Sequence, residues 1–174
     1  MVEIGGASSF RIGFSDLWTY RVEDTHTRLP LDQLSLKDCG HIHGRLELWV
    51  GEKLLPYLGY FGPDDVCFNS WLCQLRAALK QLQTAERSSY IFDEGEQGQP
   101  AFLFEREDTE LYISIVDSII SDGLAHPEWQ RIGGRFPDFV SSSEEFLKSF
   151  RSTLDREAPE LARAWWKAVL RESL

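Results

Sequence analysis

Cys39-Gly40-His41-Ile42-His43 is the segment of this 174-residue chain whose residue types come nearest to chemistry. Side chains alternate between the two faces of an extended strand, so His41 and His43 would aim both imidazoles to one side, as two metal ligands do. Zinc takes three or four ligands, and neither a Cys-x-x-Cys nor a His-Glu-x-x-His companion supplies the rest. The plainer expectation is a strand start with partly exposed histidines and Cys39 as a small buried side chain. Cys67 and Cys73 stand beside Phe68, Trp71, Leu72 and Leu75 with no histidine or lysine cluster near them in sequence, so packing is expected of them rather than nucleophilic attack.

Other routes to catalysis have less behind them. His26 and His126 fall in polar or turn-like sequence. Ser8 lacks the Gly-x-Ser-x-Gly context, and neither a Walker loop nor a Gly-x-Gly-x-x-Gly fingerprint is present. Asp117 with Asp122 could in principle act as a carboxylate pair, yet carboxylates are so abundant here that such a pair arises without selection for it. The expectation is therefore no catalytic residue, no cofactor and no resident metal.

The abundant acids are themselves informative. Lys and Arg number 18 against 28 Asp and Glu, a net charge of −10. Between Tyr90 and Glu128 lie ten acids and a single base, Arg106, so this stretch carries −9 of the total. A nonspecific grip on nucleic-acid phosphates is disfavoured and a basic partner favoured. An acidic solvated edge that deters strand pairing is the competing explanation. No run approaches the ~18 apolar residues of a membrane span, the first residues lack the pattern of a secretory signal, and three cysteines do not look like a disulfide framework. A cytoplasmic location with reduced thiols is expected.

These residues must be positioned by elements readable from periodicity. Phe10, Ile12 and Phe14, then Trp18, Tyr20 and Val22, alternate as half-buried strand residues, in one bent strand or two short ones. Residues 23 to 40 read as a long excursion with room for a short helix over Leu29, Leu34 and Leu36. Leu46, Leu48 and Val50 alternate up to a turn at Gly51-Glu52, with a return strand from Leu54 to Tyr60. Asn69 or Ser70 is expected to cap a helix carrying Trp71 or Leu72, Leu75, Leu79 and Leu82. An antiparallel meander should follow over 89 to 93, 101 to 106 and 111 to 119. In it Phe104 opposes Ile113, Phe102 opposes Ile115, and Glu105 shares the other face with Tyr112.

A further extended piece over Trp129 to Ile132 should end at Gly133-Gly134. Ser141 or Ser142, three residues before Glu144 or Glu145, predicts a helix start by capping box, and Pro159 a second helix carrying Trp165 and Trp166. One of two adjacent tryptophans points off the main stripe, so another helix or a second subunit would cover it. Strands, helix, strands and helices in that order predict a single α+β domain, mainly antiparallel sheet with helices on one face.

In size, α+β order, the strand Gly44 to Val50, the acidic meander and the Ser143-Glu144-Glu145-Phe146-Leu147 segment, the chain resembles the small acidic immunity proteins of bacterial polymorphic toxin systems. The resemblance implies a noncatalytic inhibitor that occludes the active site of a co-produced toxin. An acidic surface could imitate the substrate of a basic cleft and gain on-rate by long-range attraction. The residues expected to meet such a basic protein partner are Glu105, Glu107, Asp108, Glu110 and Tyr112, with Asp93, Glu94 and Glu96 as an adjoining patch. The alternatives are a small hydrolase using carboxylates or a Cys/His metal site, and a structural subunit that self-associates, for instance as a homodimer through its terminal helices.

Overall fold

A computed structural model describes residues 9–38, 40–59, 61–94 and 98–170. Ser8, Cys39, Tyr60 and Glu96, and the expectations placed on them, lie outside the described residues. The architecture is α+β, built as two antiparallel sheets and three helices around one continuous apolar core.

The first sheet has β1 (Phe10–Arg21), β2 (Asp24–Leu29), β3 (His43–Val50), β4 (Lys53–Leu54) and β5 (Val66–Cys67). β1 pairs β3 along one edge, and β4 and β5 share the other edge of β3 at its two ends. The alternation in β3 holds as expected: Leu46, Leu48 and Val50 are buried, and the residues between them are half-exposed. β1 is one bent strand. Its register against β3 shifts between Ser15 and Trp18, where Asp16 has φ 53°. Phe10 and Ile12 precede this bulge and pack on the core, whereas Trp18 and Tyr20 follow it and stand on the opposite face, beside His43. The 23–40 excursion folds as β2 and two single-turn 3-10 segments rather than a helix, and the return strand after Gly51 is only two residues long.

Helix α1 (Phe68–Leu82) starts one residue ahead of Asn69, with no side-chain cap. Asn69 is used instead as a clasp: its Oδ1 accepts from Ile42 N at 2.9 Å and its Nδ2 donates to Gly40 O at 3.1 Å. The second sheet is the meander β6 (Arg87–Phe92), β7 (Ala101–Glu107), β8 (Glu110–Val116) and β9 (Ile132–Arg135). Its register has Phe104 opposite Ile113, Phe102 opposite Ile115 and Glu105 opposite Tyr112, as the alternation predicts. Gly133 and Gly134 lie inside β9 rather than ending it, because the Tyr112 ring covers Gly133 and leaves no room for a Cβ, its Cε1 falling 2.7 Å from that position.

Helix α2 (Phe136–Glu157) begins about six residues before the expected capping box, with Pro137 in its first turn. Ser142 therefore lies within the helix and accepts from Ile12 N at 2.8 Å, while the Ser143 hydroxyl donates to Phe139 O. Phe146 and Phe150 meet Phe14 edge-on, fixing α2 against β1. Helix α3 (Pro159–Leu170) starts where expected. Both its tryptophans are covered within the chain: Trp165 and Trp166 each lie against Phe150, and Arg151 stacks over Trp166. The argument for a second subunit over them therefore lapses.

Trp165 is fully buried and donates through Nε1 to Gly40 O at 2.5 Å, closing α3 onto the start of β3. Trp165→Ala should cost about 3–5 kcal/mol. Trp165→Phe should cost about 1–2 kcal/mol, because Gly40 O keeps its bond from Asn69. Urea unfolding of both variants checks the order.

Candidate functional site

The sheet geometry brings the two histidines of the opening motif to one side, their rings stacked at 6.0 Å. It adds a residue that spacing along the chain could not supply. β5 pairs antiparallel with β3 so that Cys67 is the cross-strand partner of His43, and directly opposed residues share a face. One ligand atom each from His41, His43 and Cys67 lies within 4.8 Å of the other two. The cluster floors a cavity of about 560 Å³ bordered by Tyr20, Leu58, Phe61, Asp65, Ser70 and Glu94.

Each imidazole is held from behind. Asp65 Oδ1 accepts from His43 Nδ1 at 2.6 Å, and Tyr20 Oη is 3.1 Å from His41 Nδ1. Tyr20 reaches this position only because the Asp16 bulge turned its half of β1 to the outer face. The turn before β5 supplies Asp65, where the Asp65 N–H donates to Gly62 O at 3.1 Å. With His43 Nδ1 donating to Asp65, its Nε2 carries a lone pair, and that atom is buried without a hydrogen-bond partner.

Burial pushes His41 below the ordinary histidine value, helped by the neighbouring His43. Burial also lowers His43; Asp65 opposes the shift and Arg28, stacked over Trp18, adds to it. Both rings are thus neutral at pH 7, the form that ligates. Burial raises the Cys67 thiol to about 11, with Glu94 and Asp65 adding to the rise. An activated nucleophile would need the opposite shift.

The residues expected to meet a partner fall into two separated groups. Glu105, Glu107, Glu110 and Tyr112 share the outer face of β7–β8, but that face is charge-balanced by bases from beyond the counted acidic stretch. Arg131 pairs with Glu105 at 3.2 Å and Glu107 at 2.9 Å, and stacks on Tyr112 at 4.2 Å. Arg87 and Arg135 are the register partners of Glu107 and Glu110. Asp108 is exposed at the β7–β8 turn with φ 55°.

Asp93 and Glu94 follow the other end of β6, at Phe92, five residues along from Arg87 and so roughly 17 Å away. They do not adjoin the first group. Asp93 is committed to the segment after β8, accepting from Ser118 Oγ and from Ile119 N, both at 2.8 Å. Asp117, considered above as half of a catalytic pair, caps the same segment by accepting from Ala125 N at 2.7 Å.

No protein-family model, curated protein or solved structure matches this chain.

The neutral histidines make stability pH-dependent in a fixed direction. Their folded values lie below the ordinary 6.5, so as pH falls the unfolded chain takes up protons first. The stability the neutral rings contribute is complete above that value and is lost below it. Between about pH 7 and about pH 5 the unfolding free energy of wild type should fall more steeply than that of His41→Gln/His43→Gln, as urea titrations at each pH would report.

Proposed function

We propose that the chain is a noncatalytic binding protein that inhibits a co-produced toxin by covering its active site. One observation carries this reading: the segment between β8 and β9 is rigidly tied yet presents Ile119, Ile120 and Leu124 to solvent, at 86%, 62% and 75% exposure. Large apolar side chains so exposed are unusual on a lone globular surface when they cluster. Here the backbone beneath them is pinned. Besides the bonds accepted by Asp93 and Asp117, Ser118 Oγ accepts from Ser121 N at 2.9 Å, Ser121 Oγ donates to Gln99 O at 2.8 Å, and Ser118 N donates to Gly123 O at 2.9 Å. Gly123 lies so close to the backbone of Gln99 and Pro100 that no side chain fits there.

A segment ordered before binding loses little entropy when a partner arrives, which favours a tight interface. Apolar anchors inside a charged rim are the usual composition of one. The rim here is acidic, with Asp93, Glu94, Asp117 and Asp122 at this end of the molecule and Glu128 on the same segment. Such a surface suits a basic protein with an apolar depression. Contact moves accordingly from the face of Glu105, Glu107 and Tyr112, where Arg131 already answers the charge, to the end that Asp93 and Glu94 occupy. Asp108 and Glu110 then contribute through long-range attraction.

The test uses the product of the neighbouring reading frame. Expressed alone it should arrest growth, and co-expression of this chain should restore it. Ile119→Asp/Leu124→Asp should abolish protection and weaken binding about thirty-fold or more, the loss of a ~2 kcal/mol anchor, with an unchanged melting temperature. A harmless neighbour, or full protection by the double variant, overturns the proposal.

A further inference from the structure

We propose that His41, His43 and Cys67 form a binding site for a zinc-class divalent cation, with its fourth coordination position open to the cavity that Glu94 and Phe61 border. The inference stands on cluster geometry and does not depend on toxin inhibition. Two imidazoles and a thiolate are the donor set of a borderline-soft ion, and three protein ligands with one open position describe a zinc centre that can exchange its fourth ligand.

Bonds of about 2.0–2.1 Å to nitrogen and about 2.3 Å to sulfur at tetrahedral angles set ligand–ligand edges of roughly 3.4–3.6 Å. The three donor atoms already lie within 4.8 Å of one another, so side-chain rotations of about 1 Å close them on an ion. β3 and β5 fix the backbones for this, since His43 and Cys67 are paired across the ladder.

What separates this cluster from a chance gathering of side chains is its outer layer. Asp65 holds His43 by Nδ1, leaving Nε2 as a buried acceptor with no partner. A buried lone pair with nothing to accept from is unfavourable, and a metal ion relieves it. A carboxylate behind a ligating histidine is the recurrent support of zinc sites, because it sets the tautomer and raises ligand basicity. Tyr20 Oη, 3.1 Å from His41 Nδ1, holds the second ring in place, and in the tautomer in which Nδ1–H donates to it Nε2 is the acceptor. Asp65 and Glu94 also place negative charge beside the cluster, favouring a cation. On binding, the Cys67 S–H proton leaves to water as the S–Zn bond forms, and no oxidant or reductant is needed.

The full chain, reduced and stripped with chelator, is titrated first with Co²⁺ and then with Zn²⁺ against a chromophoric chelator. The result expected is one Co²⁺ per chain, with a near-ultraviolet thiolate-to-cobalt charge-transfer band and the visible bands of a tetrahedral site, all displaced by Zn²⁺. Cys67→Ser should remove the charge-transfer band and weaken zinc about a hundredfold, while Cys39→Ser and Cys73→Ser leave both unchanged. Asp65→Asn, which keeps all three ligands, should weaken zinc about 10–100-fold. No charge-transfer band in wild type, or a band that survives Cys67→Ser or vanishes in Cys39→Ser, overturns the site. The wild-type spectrum decides this even where a variant fails to fold.

Discussion

β3 is hydrogen-bonded along both edges, to β1 on one side and to β4 and β5 on the other. A slip of one residue would turn Leu46, Leu48 and Val50 out of the core and put His43, Arg45 and Glu47 into it, so the register is fixed by burial alone. The start of the strand is fixed a second time. Gly40 O accepts from both Asn69 and Trp165, and Ile42 gives its N–H to Asn69 and its carbonyl to Phe68 N. These bonds draw α1 and α3 onto the two residues that flank His41. The histidines thus stand on a stretch of backbone held by bonds from both helices, which suits a site requiring its donors to stay put.

What could be read from sequence divides along a physical line. The β7–β8 register was legible because Phe102, Phe104, Ile113 and Ile115 leave only one pairing that buries all four. The stacking of His41 and His43 was legible for the same reason, period two on a strand. The Asp16 bulge was not. Phe10, Ile12, Phe14, Trp18 and Tyr20 share one parity, and nothing in composition says that a single non-glycine residue adopts positive φ and sends the last two to the opposite face. In sequence Cys67 reads only as a packing residue beside Phe68, because its approach to His43 is a nonlocal pairing of a two-residue strand, too short to carry a pattern.

Helix starts fail similarly. Ser141 and Ser142 have the spacing of a capping box, but Phe136 and Phe139 bury well in an earlier turn and Pro137 is tolerated there, so tertiary packing overrides the local signal. Charge misleads for a related reason. Counting along the chain, residues 90 to 128 hold one base against ten acids. In space, β9 lies beside β8 and brings Arg131 and Arg135 onto the same face, while β6 adds Arg87 from the other edge. A sheet mixes segments that a one-dimensional count keeps apart.

Asp93 and Glu94 then acquire a meaning that their charge alone did not give them. They are consecutive residues leaving β6, and they serve different structures. Asp93 spends both carboxylate oxygens on Ser118 and Ile119, holding the segment that exposes Ile119 and Ile120. Glu94 borders the cavity floored by His41, His43 and Cys67. The exposed apolar segment and the histidine–cysteine cavity therefore share one wall, two residues thick, although they arise on different sheets. Displacing that wall would strain the hydrogen bonds of the first and reshape the mouth of the second. A cation within the cavity would partly offset the negative charge that Glu94 and Asp65 place there.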